Sequence, residues 1–482
     1  MKRLTRIVLI GLALVAASGH SALRAQESTL FTMSTHMPQL NYLNPACFPS
    51  GDNFYLALPD FNINFISPIS MNNIMQYDET RNKTIININH ILDTMSLGDY
   101  ARLNMSVHLL GFGFRTTHMF FTFSSQLRFN AMLGIPYNLF NITRTGNLGY
   151  VGEGNELQLL DGNLFNMNIY AEYAVGAAYS FNELPIPGRV VVAVRPKLLV
   201  GYANINTVNT NASLYTAEDF SMLRADIAYQ LRSSSVLSYH NGDITVNKFF
   251  PRNYGFALDL GARYNVNNLE FCFSLLDMGG ISWKENVHEI RPQNGNGQFE
   301  FTGLDIAGLI TEGQIDSTYL PTLKDTLVAT IQPVSVDGEK YYQKIPTRFN
   351  ISGAYRYKKL FKAGLTLHGE IYDKRFYSTT TLSCDIAVAD RVELMAGFSV
   401  INNGQSTDWF NPGIGACVSL FTALQLYAMM DYTSSVYLFD AKSVNIYAGL
   451  NLMLFRGGSV YERKQAKQNQ TSELFPTLTS EL

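Results

Sequence analysis

The stretch YGFALDLGARYNVNNLEFCFSLLDMGGISW, residues 254–283, sets the terms on which the rest of the chain is read. In its first half Phe256, Leu258, Leu260, Ala262 and Tyr264 share one face, while Ala257, Asp259, Gly261 and Arg263 share the other. Side chains alternate at every residue of a strand and recur every 3.6 residues of a helix, so this is a β pattern with charge on its second face. Past NVNN, an Asn-rich turn of the kind hairpins favour, Leu269, Phe271, Phe273 and Leu275 alternate with Glu270, Cys272 and Ser274. The stretch is a predicted hairpin, apolar on one side and polar on the other.

Working outward, the same alternation runs through GLTLHGEIY (364–372), VELMAGFSV (392–400), LQLYAMMDY (424–432) and SVNIYAGLNLMLF (443–455). The pattern predicts strands near 103–114, 119–131, 166–181, 189–201, 204–216, 225–238, 255–266 and 269–282. The second half predicts 347–357, 363–372, 378–388, 391–401, 413–420, 424–431 and 444–455, and a further early strand falls at 54–66. A soluble sandwich and a transmembrane barrel both alternate, the first turning its apolar face to a core and the second to lipid. Connection lengths separate them. From residue 255 onward, short connections such as NVNN, KKLFK, VADR and FTA alternate with longer ones at 283–346, 402–412 and 432–443. Short turns on one rim and longer loops on the other are the layout of a bacterial barrel. The expected fold is therefore all-β, a transmembrane antiparallel β-barrel of roughly fourteen strands, with sixteen the other permitted count and some early segments used otherwise.

Composition agrees. The 482 residues are 46% hydrophobic and 12% aromatic, and 31 Phe and 27 Tyr stand against two Trp. That suits an aromatic-rich, turn-punctuated β protein. After the N-terminus no long unbroken apolar run occurs, which excludes a helical membrane protein. Lys2, Arg3 and Arg6 followed by IVLIGLALVAA and ALRAQ predict a signal peptide over 1–25, cut after Ala25. Cys47, the nearest cysteine, lies too far from that cut to carry a lipid. A net charge of −3 gives no electrostatic case for nucleic acid. No GxSxG occurs, HEIRP at 288–292 lacks the second His of a zinc-protease helix, GNGQF at 295–299 has no strand-to-helix context, and the eight His are dispersed. No catalytic residue, cofactor or metal is expected. Cys47, Cys272, Cys384 and Cys417 form no CxxC; in an exported chain they could pair, but their spacing does not require it.

Two motifs carry a resemblance. Asn44-Pro45-Ala46 sits shortly after the signal, where Asn before Pro marks a turn, and ALDLGARY lies in mid-chain. Together with the strand count they resemble the FadL-type superfamily of outer-membrane hydrophobic-compound transporters. LNPACFPSGDNFYLALPDFN, LLVGYANINT and FSLLDMGGISWKEN more closely resemble an uncharacterised family of Bacteroidota outer-membrane barrels, across nearly the whole mature chain. The FadL likeness implies an N-terminal hatch that plugs the barrel, with Asn44, Pro45 and Ala46 within it. Asp259 and Arg263, on one predicted inward face, would then pair in the lumen or bind the hatch, or simply solvate the wall. Trp283 is expected in an interfacial aromatic girdle.

The expected organisation is a signal peptide at 1–25, a hatch and first barrel segment at 26–101, the barrel at 102–455 with an external loop at 283–346, and a polar periplasmic tail at 456–482. Helical spacing of Leu304, Ala307 and Ile310, with Leu320, Leu323 and Leu327, suggests either a capture site or loop packing. YAGLNLMLF, residues 447–455, is similar to the final-strand signal of bacterial barrels, which implies the barrel assembly machinery and outer-membrane lipid as partners. The expected function is binding or translocation of hydrophobic small molecules in the outer membrane of a Gram-negative bacterium. The other class is a barrel that scaffolds periplasmic or secretion-system proteins.

Overall fold

The computed structural model describes residues 29–456, apart from positions 50–51, 81, 183, 236, 241–242, 247–250, 293–296, 303–309, 312–313, 316–324, 326–328, 330–331, 359, 373–374, 389–390, 403–406, 421–422 and 433–441. Fourteen strands form the wall. They are β1 (Asp52–Ile66), β2 (Tyr100–Arg115), β3 (Met119–Gly134), β4 (Phe165–Phe181), β5 (Arg189–Thr216), β6 (Tyr254–Val266) and β7 (Leu269–Trp283). The second half contributes β8 (Thr347–Tyr357), β9 (Phe361–Tyr372), β10 (Arg375–Val388), β11 (Val392–Asn402), β12 (Thr407–Leu420), β13 (Leu424–Met430) and β14 (Ser443–Arg456). Each pairs antiparallel with its successor, and β14 returns to β1 with Ile66 opposite Ser443 and Asp52 opposite Arg456, closing the sheet. Closure removes the exposed strand edge that lipid could not satisfy.

The two rims differ as the connection lengths predict. One carries the tight links, such as the Asn267-Asn268 turn between β6 and β7, where Asn267 takes a positive φ of 50°. The chain enters β1 and leaves β14 on this same rim. On the outer face Phe256, Leu260, Phe271, Phe273, Ile351, Tyr355 and Leu365 are all exposed, Phe256 by 60%. An apolar belt of this kind around a closed antiparallel barrel is a lipid-facing surface, and the protein is an outer-membrane barrel. Among the described residues no helix is long and apolar enough to cross a membrane.

Two departures from the sixteen predicted segments yield the count of fourteen. The segments at 189–201 and 204–216 are one strand, β5, and the segment near 225–238 stands off the barrel as Leu223–Ser235. The lower part of β5, Arg189–Val200, pairs with β6, while Ala203–Thr216 pairs with Leu223–Ser235 beyond the barrel. Leu223–Ser235 also pairs with Val287–Pro292 and Gly297–Phe301, so part of the 283–346 connection builds a ribbon at the long-loop rim. Leu304, Ala307, Leu320, Leu323 and Leu327 lie outside the described residues, as do the expected signal peptide and residues 457–482 of the expected tail, whereas Arg456 ends β14.

Trp283 does not join a girdle. It is 0% exposed and packs inward with Tyr170, Leu199, Ala257, Ile281 and Ile345. The cause is a β-bulge: Leu258 pairs with Met278 but Leu260 with Leu275, so Leu276 and Asp277 stand opposite the single residue between, with Asp277 at a φ of 59°. One extra residue reverses the phase of a strand. Before the bulge Glu270 and Ser274 point inward; after it Ile281 and Trp283 do.

Candidate functional site: the lumen and its N-terminal hatch

Residues 29–49 fill part of the barrel interior. A 3-10 turn at Thr29–Met33 and one helical turn at Leu40–Leu43 are all the regular structure they hold, since Pro38, Pro45 and Pro49 interrupt any longer helix. The apolar side chains of this hatch are buried. Leu30, Phe31, Met37 and Leu43 pack with Met395, Cys417, Tyr427, Met429 and Tyr447 of the wall, and the Phe31 ring meets Tyr447 edge-on at 4.8 Å.

Polar contacts tie the hatch to the wall all round. Thr29 and Thr32 share hydroxyl hydrogen bonds of 2.8 Å with Thr381 and Thr366. Glu393 accepts from the Ser34 hydroxyl at 2.9 Å and from the Thr35 and His36 backbone amides at 3.2 Å each. The Gln39 and Asn451 amides exchange bonds of 2.8 and 3.0 Å, and Tyr42 stacks on His108 with ring centres 4.1 Å apart.

The Asn-Pro-Ala turn has a specific seat. Asn44 Oδ1 accepts from the Ala46 amide at 2.9 Å, an Asx turn that fixes the loop. Asn44 Nδ2 donates to the carbonyls of Ala262, 3.1 Å, and Phe273, 3.0 Å, two residues that face each other across β6 and β7. Leu43 O accepts from Ser274 Oγ at 2.6 Å and from Asn350 Nδ2 at 2.9 Å. Beneath the turn lies Gly261, where a Cβ would come within 2.3 Å of Asn44 Oδ1 and 2.9 Å of both Ala46 N and Pro45 Cδ. The two motifs picked out of the sequence, Asn44-Pro45-Ala46 and the Gly261 of ALDLGARY, thus touch as knob and socket.

Asp259 and Arg263 are both buried and inward, but they do not pair with each other. Four residues along a strand span roughly 13 Å, beyond the reach of an ion pair. Asp259 instead accepts from Arg195 Nε at 2.7 Å and lies 2.9 Å from Lys197 Nζ, both on the adjacent strand β5, and Arg195 Nη1 reaches Asn41 O of the hatch at 2.8 Å. Arg263 pairs with Glu270 at 2.6 Å; Glu270 also takes Lys362 Nζ at 2.8 Å, and Lys362 donates to Thr32 O of the hatch at 3.2 Å.

Asp259 belongs to a larger layer of charge that sequence reading missed. Lys197 bonds Asp277 and sits 2.9 Å from Glu172; Arg348 also bonds Asp277, and Arg128 lies 3.2 Å from Glu172 and 3.5 Å from Asp277. Each of these residues faces the lumen from a different one of the six consecutive strands β3–β8, so the curvature of that part of the wall brings them together. The available signal was Arg195 and Lys197 two apart within the apolar run VVVAVRPKLLV. Beside this layer is a cavity of about 30 Å³ lined by Asn62, Arg102, Arg128, Asn130, Arg348 and Glu370. Arg102 bonds Glu370, while its Nη1 has no hydrogen-bond partner among the described residues. Among those residues no group of His, Cys, Asp and Glu is arranged to hold a metal.

A closed fourteen-stranded wall, an apolar outer face and an interior occupied by the chain's own N-terminal segment define a plugged outer-membrane β-barrel. The chain belongs to a family of unknown function (DUF5723), whose model matches residues 45–431. Among solved structures it is similar to the toluene transporter TodX of Pseudomonas putida, with 8% identity, a TM-score of 0.39, and coverage of 90% of this chain and 98% of that one. It is likewise similar to a FadL homologue of Pseudomonas aeruginosa, with 9% identity, a TM-score of 0.39, and coverage of 89% and 97%. The toluene transporter TbuX of Ralstonia pickettii gives 9% identity, a TM-score of 0.38, and coverage of 89% and 97%. None of the curated proteins matches the chain.

Proposed function

We propose that this barrel is a gated conduit for small hydrophobic molecules, with residues 29–49 as the gate and the Asn44-Pro45-Ala46 turn as its catch on Gly261. The observation that carries this reading is the seat of the hatch. A short segment with its own apolar face is held by many modest hydrogen bonds and two cationic anchors, Arg195 and Lys362, and neither anchor is continuous with the hatch backbone. Bonds of this size, each worth about 1 kcal/mol net, can be exchanged for water or ligand. The substrate class is supported by the long-loop rim. Helices Ile88–Thr94 and Tyr137–Thr145, joined by an Arg144–Asp93 ion pair of 2.6 Å, lie beside exposed Ile86, Leu97 and Leu148 and themselves expose Ile88, Leu139 and Phe140. Leu97 is 68% exposed, and apolar side chains in this position suit the first capture of a hydrophobic compound.

The test is flux of radiolabelled oleate and of toluene into proteoliposomes. Saturable entry through the intact chain, with faster and unsaturable entry through a chain lacking residues 29–47, is expected. No flux above protein-free vesicles from either form would overturn the reading. The scaffold class has its own supporting observation, since the cavity beside the charged layer holds only about 30 Å³ and is lined mainly by polar side chains. A stoichiometric protein partner in the no-flux case would establish it.

A further inference from the structure

We infer that Cys47 and Cys272 are a cross-linking site, joined in the mature protein by a disulfide that fastens the hatch to the barrel wall. The two sulfur atoms lie 3.5 Å apart although the residues are 225 positions distant in the chain. No other pair of the four cysteines has a sulfur contact of this kind among the described residues. Cys47 closes the hatch, directly after the Asn-Pro-Ala turn, and is buried. Cys272 lies on β7, three residues from the tight turn to β6, on the rim where the chain enters and leaves, and is only partly buried. The thiols are held in place by their surroundings. Asn44 is fixed to the carbonyl of Phe273, the neighbour of Cys272, and the Arg263–Glu270 pair flanks the sulfur atoms. Closing the gap to the roughly 2.05 Å of an S–S bond needs a movement of about 1.5 Å, within the reach of side-chain rotation.

An outer-membrane protein passes through an oxidising compartment, which supplies the co-reactant as a protein or small-molecule disulfide. Cys272, the more accessible of the two, attacks that disulfide as the thiolate and forms a mixed disulfide, releasing one thiol. Cys47 then attacks the Cys272 sulfur and releases the second. The net change is two cysteine thiols and one external disulfide to one internal disulfide and two external thiols, with two electrons and two protons passing to the oxidant.

The cross-link pins the hatch at the end nearest the rim. In the oxidised protein residues 29–40 can still shift, whereas the whole segment cannot leave; reduction frees it. This inference concerns the covalent state alone and stands whether or not the barrel is a conduit. The test is to isolate the protein from outer membranes with N-ethylmaleimide present throughout, digest it without reductant, and identify the cysteine peptides by mass spectrometry. One peptide pair linked through Cys47 and Cys272 is expected, lost on reduction, with Cys384 and Cys417 recovered as thiols. Recovery of Cys47 and Cys272 as alkylated thiols from folded, heat-modifiable protein overturns the inference. As a second measurement, chymotryptic cleavage after Tyr42 or Leu43 should rise at least tenfold on adding dithiothreitol to the wild type and be insensitive to it in Cys272→Ser. Equal cleavage of the wild type with and without reductant would refute the fastening role.

Discussion

Replacing Gly261 with alanine should loosen the hatch without disturbing the wall. The added Cβ would stand 2.3 Å from Asn44 Oδ1, where ordinary contact begins near 3.4 Å, so the Asn-Pro-Ala turn must retreat by about 1 Å. That retreat stretches the Asn44 bonds to Ala262 O and Phe273 O from 3.1 and 3.0 Å to beyond useful range. Two lost bonds at about 1 kcal/mol each, with up to about 2 kcal/mol of overpacking, favour the displaced hatch by roughly 2–4 kcal/mol. Such a shift multiplies the open population by about 30 to 700. Chymotrypsin cleavage after Tyr42 or Leu43, under reducing conditions, reads that population directly when opening is fast relative to cutting. Gly353→Ala is the control, since its Cβ would meet only the Phe271 ring at an ordinary 3.6 Å. A Gly261→Ala protein that migrates as a folded barrel and is cut no faster than Gly353→Ala would refute the knob-and-socket reasoning.

Further outcomes follow from the same interior. With Trp409→Phe leaving Trp283 as the sole indole, brominated lipid should fail to quench its fluorescence; strong quenching would return Trp283 to the lipid interface. Asp277→Ala leaves Lys197, Arg348 and Arg128 around an empty position, which should lower the stability of the folded barrel by about 3 kcal/mol, read as a shift in urea midpoint. Asn44→Ala should cost about 2 kcal/mol of hatch seating, from its two wall bonds, and raise chymotrypsin cleavage without altering the urea midpoint of the barrel.

Alternation and turn chemistry carried most of the wall. Phe256, Leu260, Phe271 and Phe273 face outward as their spacing predicts, because a lipid-facing strand must repeat every second residue. The errors arose where local pattern is silent. Strict alternation carried through FSLLDMGGISW passes over the single residue that reverses phase at Asp277 and so puts Trp283 on the wrong face. Nothing between 201 and 204 reveals that one strand leaves the barrel and finds a new partner. The seat of the hatch was half visible: Asn44 and Gly261 each stand in a motif, but 217 positions separate them and only closure brings them together. Asp259 and Arg263 are both buried, but their partners are not legible in the sequence, because strand residues pair across to neighbours such as Arg195 and Glu270 and not along their own chain.

The length of β5 exceeds what the wall requires. Its 28 residues are unbroken from Arg189 to Thr216, roughly 90 Å of extended chain against an apolar band about 25 Å tall. Near its foot are Arg195, which grips the backbone of Asn41, and Lys197, which anchors the carboxylates beneath; its head stands in the ribbon with Leu223–Ser235. One continuous strand, with register shifts near Gly201–Ala203 and Thr207–Asn209, therefore runs from the short-turn rim into the ribbon at the long-loop rim. The backbone that carries the cation on the hatch is the same one that builds the ribbon, so the two are parts of a single covalent element.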